Sequence, residues 1–193
     1  MAIRRASEDD ASRAGGGAGE NRGTLIHTVG HSTRGSEEFL GLLESYTIEV
    51  VADVRTVPKS AHVPQFNREA LAASLDAHGI GYAHMPRLGG LRHPRKDSVN
   101  TAWKNLSFRG YADYMQTPEF EQGLTELIEL ARRRRAAIMC AEAVPWRCHR
   151  SLVGDALLIR GFKVAHILSE TSARPHELTP WARVKGLEIT YPG

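Results

Sequence analysis

The stretch from residue 136 to residue 161 constrains the fold most, because it combines a buried strand, a polar turn and a helix. It begins with the apolar run AAIMCA, which is short enough for a strand, and ends with SLVGDALLIR, whose apolar spacing is typical of a helix that stops at Gly161. The turn between them carries Glu142, Arg147, Cys148, His149 and Arg150. Ligands of open α/β sheets bind at the carboxyl ends of the strands, where helix amino ends supply N–H groups. We therefore expect this turn to form the floor of a functional site.

The rest of the chain alternates between strand-like and helix-like patterns. Strands are predicted at residues 24–29, 48–54, 80–85, 136–141 and 163–168, with helices between most of them. This order predicts an α/β fold, a largely parallel sheet of about five or six strands with helices on its faces. Residues 169–180 are expected to be a loop, followed by a short helix that begins at Thr179-Pro180 and an edge strand at residues 187–191.

Composition indicates a single domain behind a polar amino-terminal segment. Residues 1–23 are rich in glycine and alanine with little apolar surface, so we interpret them as a flexible tail and residues 24–193 as one α/β domain. The net charge of +3 permits a phosphate-bearing partner but does not by itself indicate nucleic acid. No apolar run approaches the roughly 18 to 20 residues that span a bilayer, and none follows the basic residues near the start. The expected location is therefore cytoplasmic, with no membrane partner.

Polar and ionisable side chains follow each of the predicted strands. They are His31, Ser32 and Arg34 after the first, Asp53 and Arg55 at the end of the second, Gly89 and Gly90 after the third, and Glu142, Cys148, His149 and Arg150 after the fourth. Because the carboxyl ends of parallel strands share one edge of the sheet, we expect these residues to converge in a single cleft.

The residue types in this set favour acid–base chemistry on an anionic substrate. The candidate catalytic residues are Asp53, Glu142, His149, His31 and Cys148, since carboxylates and imidazoles that titrate near neutral pH transfer protons. The candidate anion-binding residues are Arg34, Arg55, Gly89, Gly90, Arg150 and Ser32. The sequence thus favours a hydrolase or group transferase that acts on a phosphate-bearing substrate such as a nucleotide or nucleic acid, and it identifies neither a cofactor nor an oligomeric state.

Structural interpretations of the same residues remain open. Asp53 with Arg55, or Glu142 with Arg150, would form an ion pair that only holds the loops. A metal site is chemically feasible from the donors His31, Asp53, Glu142 and His149. Their spacing matches no established metal motif, so we predict no metal ligand.

Two alternative functions use other features of the chain. The basic loop from Arg92 to Lys104, with Trp103 and Phe108 for base stacking, would suit a non-catalytic nucleic-acid binding module. A thiol enzyme would use Cys148, whose basic neighbours should lower its pKa, with His149 or Glu142 as helper. Adjacent residues of a helix point in different directions, so His149 is expected to be a poor base for Cys148. The other cysteine, Cys140, is expected to be a small buried core residue.

These segments resemble the family known as domain of unknown function 488. The resemblance is carried by Val29-Gly30-His31-Ser32-Thr33-Arg34, Asp53-Val54-Arg55 with Pro58 and Ser60, Leu88-Gly89-Gly90, Tyr111-Ala112-Asp113-Tyr114-Met115, and Cys140-Ala141-Glu142 with Pro145 and Cys148-His149-Arg150. It covers about residues 24–170 and implies an α/β domain in which these motifs lie near one another. It implies no particular activity, so the prediction of function rests on the residues themselves.

Overall fold

The apolar runs of the sequence form the central strands of one sheet in the computed structural model, which describes residues 23–193. The strands are β1 (Leu25–Gly30), β2 (Val50–Asp53), β3 (Gly81–His84), β4 (Ala136–Cys140), β5 (Lys163–Ser169), β6 (Ser172–Pro175), β7 (Arg183–Lys185) and β8 (Glu188–Thr190). The helices are α1 (Ser36–Ser45), α2 (Arg68–Ala77), α3 (Leu106–Tyr114), α4 (Pro118–Arg133) and α5 (Arg150–Leu158), with short 3₁₀ turns at Pro64–Phe66, Pro86–Leu88 and Pro145–Arg147. The predicted tail, apart from Gly23, lies outside the described residues.

Six strands pair in the order β3-β2-β4-β1-β5-β6. The pairs of β1 with β4 and β5, and of β2 with β3 and β4, are parallel, whereas β6 pairs with β5 antiparallel. The predicted α/β fold with a largely parallel sheet of five or six strands is therefore confirmed. The carboxyl ends of β1, β2 and β4 meet side by side at one edge, which brings residues from three distant segments together.

Helices cover both faces of this sheet, and side chains alternate between the faces along each strand. Helices α1 and α2 pack on one face, and Met139 of β4 belongs to that core. Helices α3, α4 and α5 pack on the other face, and the next residue, Cys140, belongs to that core. The last residue of β4 therefore places its thiol on the side of α5.

Local signals in the sequence explain where the helices begin and end. The hydroxyl oxygen of Thr117 accepts a bond from the N–H of Phe120 at 3.3 Å, and Pro118 occupies the first position of α4. Gly79 and Gly161 have φ angles of +70° and +86° just after α2 and α5, a conformation that favours glycine. No helix in residues 23–193 is long and apolar enough to cross a membrane.

The carboxyl-terminal region differs from the prediction. The expected loop at residues 169–180 contains β6, an exposed edge strand whose sequence has no apolar alternation to signal it. The expected helix after Thr179 is absent from the described chain, where β7 and β8 instead form a separate two-stranded hairpin. Gly186 between them has a φ of +62°, which suits a tight turn rather than a helix.

Candidate active site at the carboxyl ends of the strands

A cleft of about 330 Å³ opens at the carboxyl ends of β2 and β4. Its lining combines apolar and ionisable side chains: Arg55, Thr56, Val57, Gly90, Leu91, Ser107, Phe108, Cys140, Ala141, Glu142, Arg147, Cys148 and His149. These residues come from the ends of two strands and the segments after them, the turn before α5, the loop after β3 and the first turn of α3. The long loop before α3 supplies Leu91, which is 74% exposed, at the rim.

The structure divides the eleven predicted site residues into two groups. Five of them line the cleft: Arg55, Gly90, Glu142, Cys148 and His149. Six do not, and lie in the segments behind or beside it: His31, Ser32, Arg34, Asp53, Gly89 and Arg150. The cleft lies at the edge of the sheet that the sequence indicated. Only five of the eleven predicted site residues, however, face the space that a substrate would occupy.

Asp53 and Arg55 form a buried ion pair. The Asp53 carboxylate is completely buried and accepts bonds from Arg55 Nε at 2.9 Å and Arg55 Nη2 at 2.6 Å. It also accepts from the backbone N–H of Arg55 at 3.0 Å and from the Tyr82 hydroxyl at 2.7 Å. This carboxylate therefore holds a cation in place, and the geometry favours the structural interpretation of Asp53 over an acid–base role.

His31 lies behind Arg55 and is neutral. Its ring stacks on Phe66 at 4.3 Å, and its Nδ1–H donates to the carbonyl of Ser32 at 2.8 Å. The bare Nε2 accepts from Arg55 Nη1 at 3.2 Å. Burial, helped by the charge of Arg55, lowers the pKa of His31 to about 4. The expectation that His31 titrates near neutral pH is therefore wrong, because desolvation disfavours its charged form.

The guanidinium of Arg34 is bound by neighbouring protein groups and does not face the cleft. Its Nη1 donates to the Gly30 carbonyl at 2.6 Å, and its guanidinium pairs with Glu38 at 2.9 Å. Ser32 has a φ of +50° in the same turn, where its carbonyl serves His31. These residues shape the turn after β1 and do not reach the cleft.

The glycines of the site leave room for protein atoms. A Cβ on Gly90 would collide with the His149 ring, and one on Gly89 would collide with the Thr56 hydroxyl. A Cβ on Gly30 would collide with the Glu142 carbonyl, which lies directly above it. The glycine pair was predicted to let backbone approach a ligand, but here it admits neighbouring protein groups.

The two cysteines and Arg150 form a buried cluster at the cleft floor. The sulfurs of Cys140 and Cys148 are 2.7 Å apart, and both residues are reduced. Arg150 is 1% exposed, and its Nη1 lies 2.5 Å from Cys140 Sγ and 2.6 Å from the Glu142 carbonyl. Its Nη2 donates to the carbonyl of Ala143 at 3.0 Å. The predicted ion pair of Glu142 with Arg150 does not form, because Arg150 contacts the backbone of residue 142 instead.

Arg150 is thus a buried cation with an unusual environment. None of the ion pairs within residues 23–193 includes it, and its Nε lacks a hydrogen-bond partner in that range. Burying an unpaired charge is costly. The neighbouring group that could balance it is the thiol of Cys140, provided that the thiol ionises.

The two thiols have opposite acidities. Burial alone would raise the pKa of Cys140, but the hydrogen bond from Cys148 and the charge of Arg150 outweigh it and lower this pKa. Burial and the adjacent Cys140 raise the pKa of Cys148 well above its ordinary value. The prediction that Cys148 carries the lowered pKa is therefore wrong: Arg150 points at Cys140, and Cys148 supplies the S–H donor.

His149 contacts the cysteine before it. Its Nε2–H donates to the Val54 carbonyl at 3.2 Å, so Nδ1 is the bare nitrogen, 3.6 Å from Cys148 Sγ. Burial lowers the pKa of His149 to about 4, so this ring is neutral at pH 7 rather than titrating near neutrality as expected. The two side chains contact each other because they precede α5 and do not share its helical geometry. His149 is nevertheless a poor base, as expected, because its pKa is low.

The amino end of α5 offers no open anion site. The N–H groups of Ser151 and Leu152 donate to the carbonyls of Cys148 and His149 at 3.1 and 3.0 Å. Free cationic and anionic groups are found instead at the cleft mouth, where Arg147 and Glu142 are exposed. Neither belongs to an ion pair within the described part of the chain.

Cys140 and Arg147 are the site residues that the predictions missed. Cys140 is a buried core residue, as expected, but it also lines the cleft, and its position at the end of a strand was the signal used for Asp53. Arg147 lies in the polar turn without a further signal of its own.

The basic loop of the nucleic-acid alternative packs inward: Trp103 stacks on Phe108 at 4.9 Å, and Arg92 lies over Tyr114 at 3.5 Å.

The predicted site residues do not form a metal cluster. Among residues 23–193, no group of three or more His, Cys, Asp or Glu side chains is arranged to hold a metal ion. The feasible set of His31, Asp53, Glu142 and His149 is dispersed over the cleft and the region behind it.

Comparison with known proteins gives one match. The family model described as Domain of unknown function DUF488 matches residues 35–157, which is more than half of the 193 residues. The match includes the motifs at Asp53, Gly89 and Cys140 but begins after the motif at residues 29–34. No curated protein and no solved structure matches the chain.

Proposed function

We propose that this chain, which belongs to the DUF488 family, is a two-cysteine thiol enzyme in which Cys140 attacks a small-molecule disulfide and Cys148 resolves the product. One observation carries the proposal: a buried arginine donates at 2.5 Å to the sulfur of Cys140, which lies 2.7 Å from a second sulfur. Thiolates are the reactive form of cysteine, and a nearby guanidinium favours them. The proposal takes up the thiol-enzyme alternative of the sequence analysis and places its nucleophile at Cys140 instead of Cys148.

The first step uses the charge balance of the cluster. The Cys140 thiolate attacks one sulfur of the substrate disulfide, forming a mixed disulfide and releasing the other half of the substrate as a thiolate. The apolar part of the lining, Val57, Leu91 and Phe108, contacts the body of the substrate. Arg147 at the mouth would stabilise the negative charge of the departing thiolate.

The second step uses Cys148 and His149. Cys148 attacks the sulfur of Cys140 and gives up its thiol proton, and His149, whose Nδ1 lies 3.6 Å from Cys148 Sγ, orients the thiol. The second half of the substrate leaves as a thiolate and takes up that proton. The products are one substrate thiolate, one substrate thiol and a Cys140–Cys148 disulfide, so atoms, charge and electrons balance. Its sulfurs need to approach by only about 0.7 Å to reach bonding distance.

The remaining buried groups position this machinery. The Asp53 carboxylate fixes Arg55, whose edge lines the cleft beside Thr56. Gly30 and Gly90 provide the space in which the Glu142 carbonyl and the His149 ring lie. These contacts make Asp53 a positioning residue rather than a proton donor.

Trapping experiments test the proposal directly, because Cys140 and Cys148 are the two cysteines of the chain. The reduced full-length protein is mixed with oxidised glutathione, and the masses of the products are followed. The wild type should lose two hydrogens without retaining glutathione, Cys148→Ser should retain one glutathione on Cys140, and Cys140→Ser should react at least tenfold more slowly. Equal reaction of the two variants, or no reaction of the wild type, would overturn the proposal.

A phosphate-bearing substrate is the second candidate, and the exposed Arg147 in a cleft that also holds Arg55 supports it. The reaction would be hydrolysis or group transfer on a nucleotide, sugar phosphate or nucleic-acid end, with Glu142 as the exposed carboxylate. Turnover of these three substrate classes is measured for the wild type, Glu142→Gln and Arg147→Gln. Arg133→Gln, an exposed arginine at the end of α4, is the matched control. No turnover, or turnover that both cleft variants retain, would eliminate this candidate.

We also propose a cytoplasmic location, because cysteine pairs that form disulfides in cytosolic proteins are usually transient and catalytic, as proposed for Cys140 and Cys148. A non-catalytic nucleic-acid binding module remains an untested alternative. Its loop gains little support, because Trp103 and Phe108 stack on each other.

A further inference from the structure

We propose that Arg150 makes the Cys140–Cys148 couple more oxidising than it would be without this buried cation, so that its disulfide form oxidises dithiol substrates and is not an inert end product. This inference rests on the proposed function and adds its direction: the protein transfers a disulfide from a small-molecule disulfide to a dithiol. The observations that carry it are the burial of Arg150, its contact with Cys140 Sγ, and the lack of a carboxylate partner for it within residues 23–193.

The reduced state satisfies the charge of Arg150. An arginine side chain remains protonated in proteins, so the guanidinium stays charged at 1% exposure. A thiolate on Cys140 supplies the opposite charge at 2.5 Å, and the S–H of Cys148 donates to the same sulfur. Two donors thus stabilise one anion at a buried position, where electrostatic interactions are strong.

The oxidised state removes that anion. A disulfide sulfur carries no charge, so Arg150 would retain the carbonyls of Glu142 and Ala143 as its acceptors and lose its charge partner. A buried cation without a counter-ion destabilises the state that contains it. Stabilising the reduced form of a dithiol and destabilising its disulfide both raise the reduction potential.

The contrast with the other buried arginine supports this view. Arg55 is bound to a carboxylate whose charge does not change with the oxidation state of the cysteines. An arginine paired like Arg55 would leave the potential unaffected. Arg150 instead contacts the Cys140 sulfur, so its charge is balanced only while that sulfur is a thiolate.

The reaction balances without a further reagent. A substrate thiolate attacks one sulfur of the Cys140–Cys148 disulfide and forms a mixed disulfide with that cysteine. The second thiol of the substrate then attacks the substrate sulfur of the mixed disulfide and releases the cysteine. The substrate leaves as a disulfide, while Cys140 recovers its thiolate and Cys148 its proton. A small-molecule disulfide then reoxidises the pair by the two steps of the proposed function.

Equilibration of the full-length protein in glutathione buffers of graded ratio tests the inference. The fraction of the Cys140–Cys148 disulfide gives the equilibrium constant for the wild type, Arg150→Met and Arg150→Lys. Arg150→Met should hold the disulfide at least tenfold more stably, a shift of about 30 mV toward a more reducing potential. Arg150→Lys keeps a positive charge and should shift less.

The outcomes separate the two proposals. If no intramolecular disulfide forms in any buffer, the proposed function fails, and this inference fails with it. If the disulfide forms but Arg150→Met and the wild type have equal potentials, only the oxidising character is wrong.

The pH dependence of the wild-type potential decides the matter even if the variants do not fold. Reduction to two thiols takes up two protons and changes the potential by about 59 mV per pH unit, whereas reduction to a thiol and a thiolate takes up one and gives about 30 mV. We expect the change to the smaller slope well below pH 8.5, the ordinary range of a cysteine pKa. A slope near 59 mV up to that pH would overturn the inference.

Discussion

The two buried arginines at the cleft, Arg55 and Arg150, are held in different ways. Arg55 is 8% exposed and makes a two-point bond to Asp53, while Arg150 is 1% exposed and contacts a thiol and two backbone carbonyls. The first pair joins a carboxylate to a guanidinium at two points, and no sulfur takes part in it. A thiol can gain a proton or form a disulfide, so the charge balance of the second cluster changes with chemistry. Under the proposed function, the Asp53–Arg55 pair builds the cleft and the Cys140–Arg150 contact supports the reaction.

The buried Asp155 belongs with the first type. It accepts from His176 Nε2 at 2.9 Å, from the Tyr191 hydroxyl at 2.8 Å and from the N–H of Thr179 at 3.0 Å. His176 contacts His166, and burial lowers the pKa of His166 to about 3. Every side-chain polar atom of the network from Asp155 through His176 to His166 has a partner. This is typical of a network that fastens the carboxyl-terminal segment to α5 rather than one that meets a substrate.

The largest expected effect is a difference in unfolding free energy between a variant of the Arg55 pair and a variant of Arg150. Asp53→Asn leaves Arg55 buried without a counter-ion, which should cost about 3–5 kcal/mol of unfolding free energy. Arg150→Met removes the cation itself and lets Cys140 become a neutral thiol, so it should cost about 1–2 kcal/mol for the lost carbonyl bonds. Urea denaturation of both variants measures the difference. Equal losses would mean that Arg150 has a permanent counter-ion, which would contradict the comparison.

The next effect concerns Gly30, which leaves room for the carbonyl that contacts Arg150. Gly30→Ala would push a Cβ into the Glu142 carbonyl, the acceptor that orients Arg150, and overpacking of this kind costs about 1–3 kcal/mol. Displacing that carbonyl should also slow alkylation of Cys140 at pH 7. Gly35→Ala, where an added Cβ meets open space, is the matched control and should alter neither measurement. Unchanged alkylation in Gly30→Ala would show that this carbonyl does not position Arg150.

The sequence predicted the elements of the fold whose buried residues form a regular apolar pattern. The apolar runs that became β1, β2 and β4 and the capped start of α4 were clear, whereas the exposed strand β6 has no alternation and was missed. The rule that parallel strands end at one edge placed Asp53 and Cys148 correctly at that edge. It could not show that side chains at the edge divide between the two faces of the sheet, and this division separates the Asp53 pair from the cysteine cluster. Nor can a linear sequence show which of two thiols Arg150 contacts.

The third prediction compares one histidine from each region. Burial lowers the pKa of both His31 and His149 to about 4, below the unfolded value near 6.5, so the folded state favours their neutral forms. Their contribution to stability is complete above pH 6.5 and is lost as the pH falls toward 4. Each should add about 1.4 kcal/mol per pH unit to the acid dependence of unfolding in that range. Replacing either by Gln should remove one proton from the slope, as measured by urea denaturation at several pH values; a variant that keeps the full slope would show that its histidine is not buried in the neutral form.

The smallest effect tests whether the two regions are independent. Tyr82→Phe removes the 2.7 Å bond to Asp53, but three donors from Arg55 remain, so we expect a loss of about 1 kcal/mol. Tyr46→Phe is the matched control, because its hydroxyl donates to the exposed Ser169 carbonyl and its loss should cost less than about 0.5 kcal/mol. Neither variant should change the rate at which Cys140 reacts with oxidised glutathione, since no atom of the cysteine cluster contacts Tyr82 or Tyr46 in the interactions described. A slower reaction in Tyr82→Phe alone would mean that the Asp53 pair transmits its geometry to the cysteines through Arg55, and the cleft would then act as one unit instead of a fixed wall beside a reactive floor.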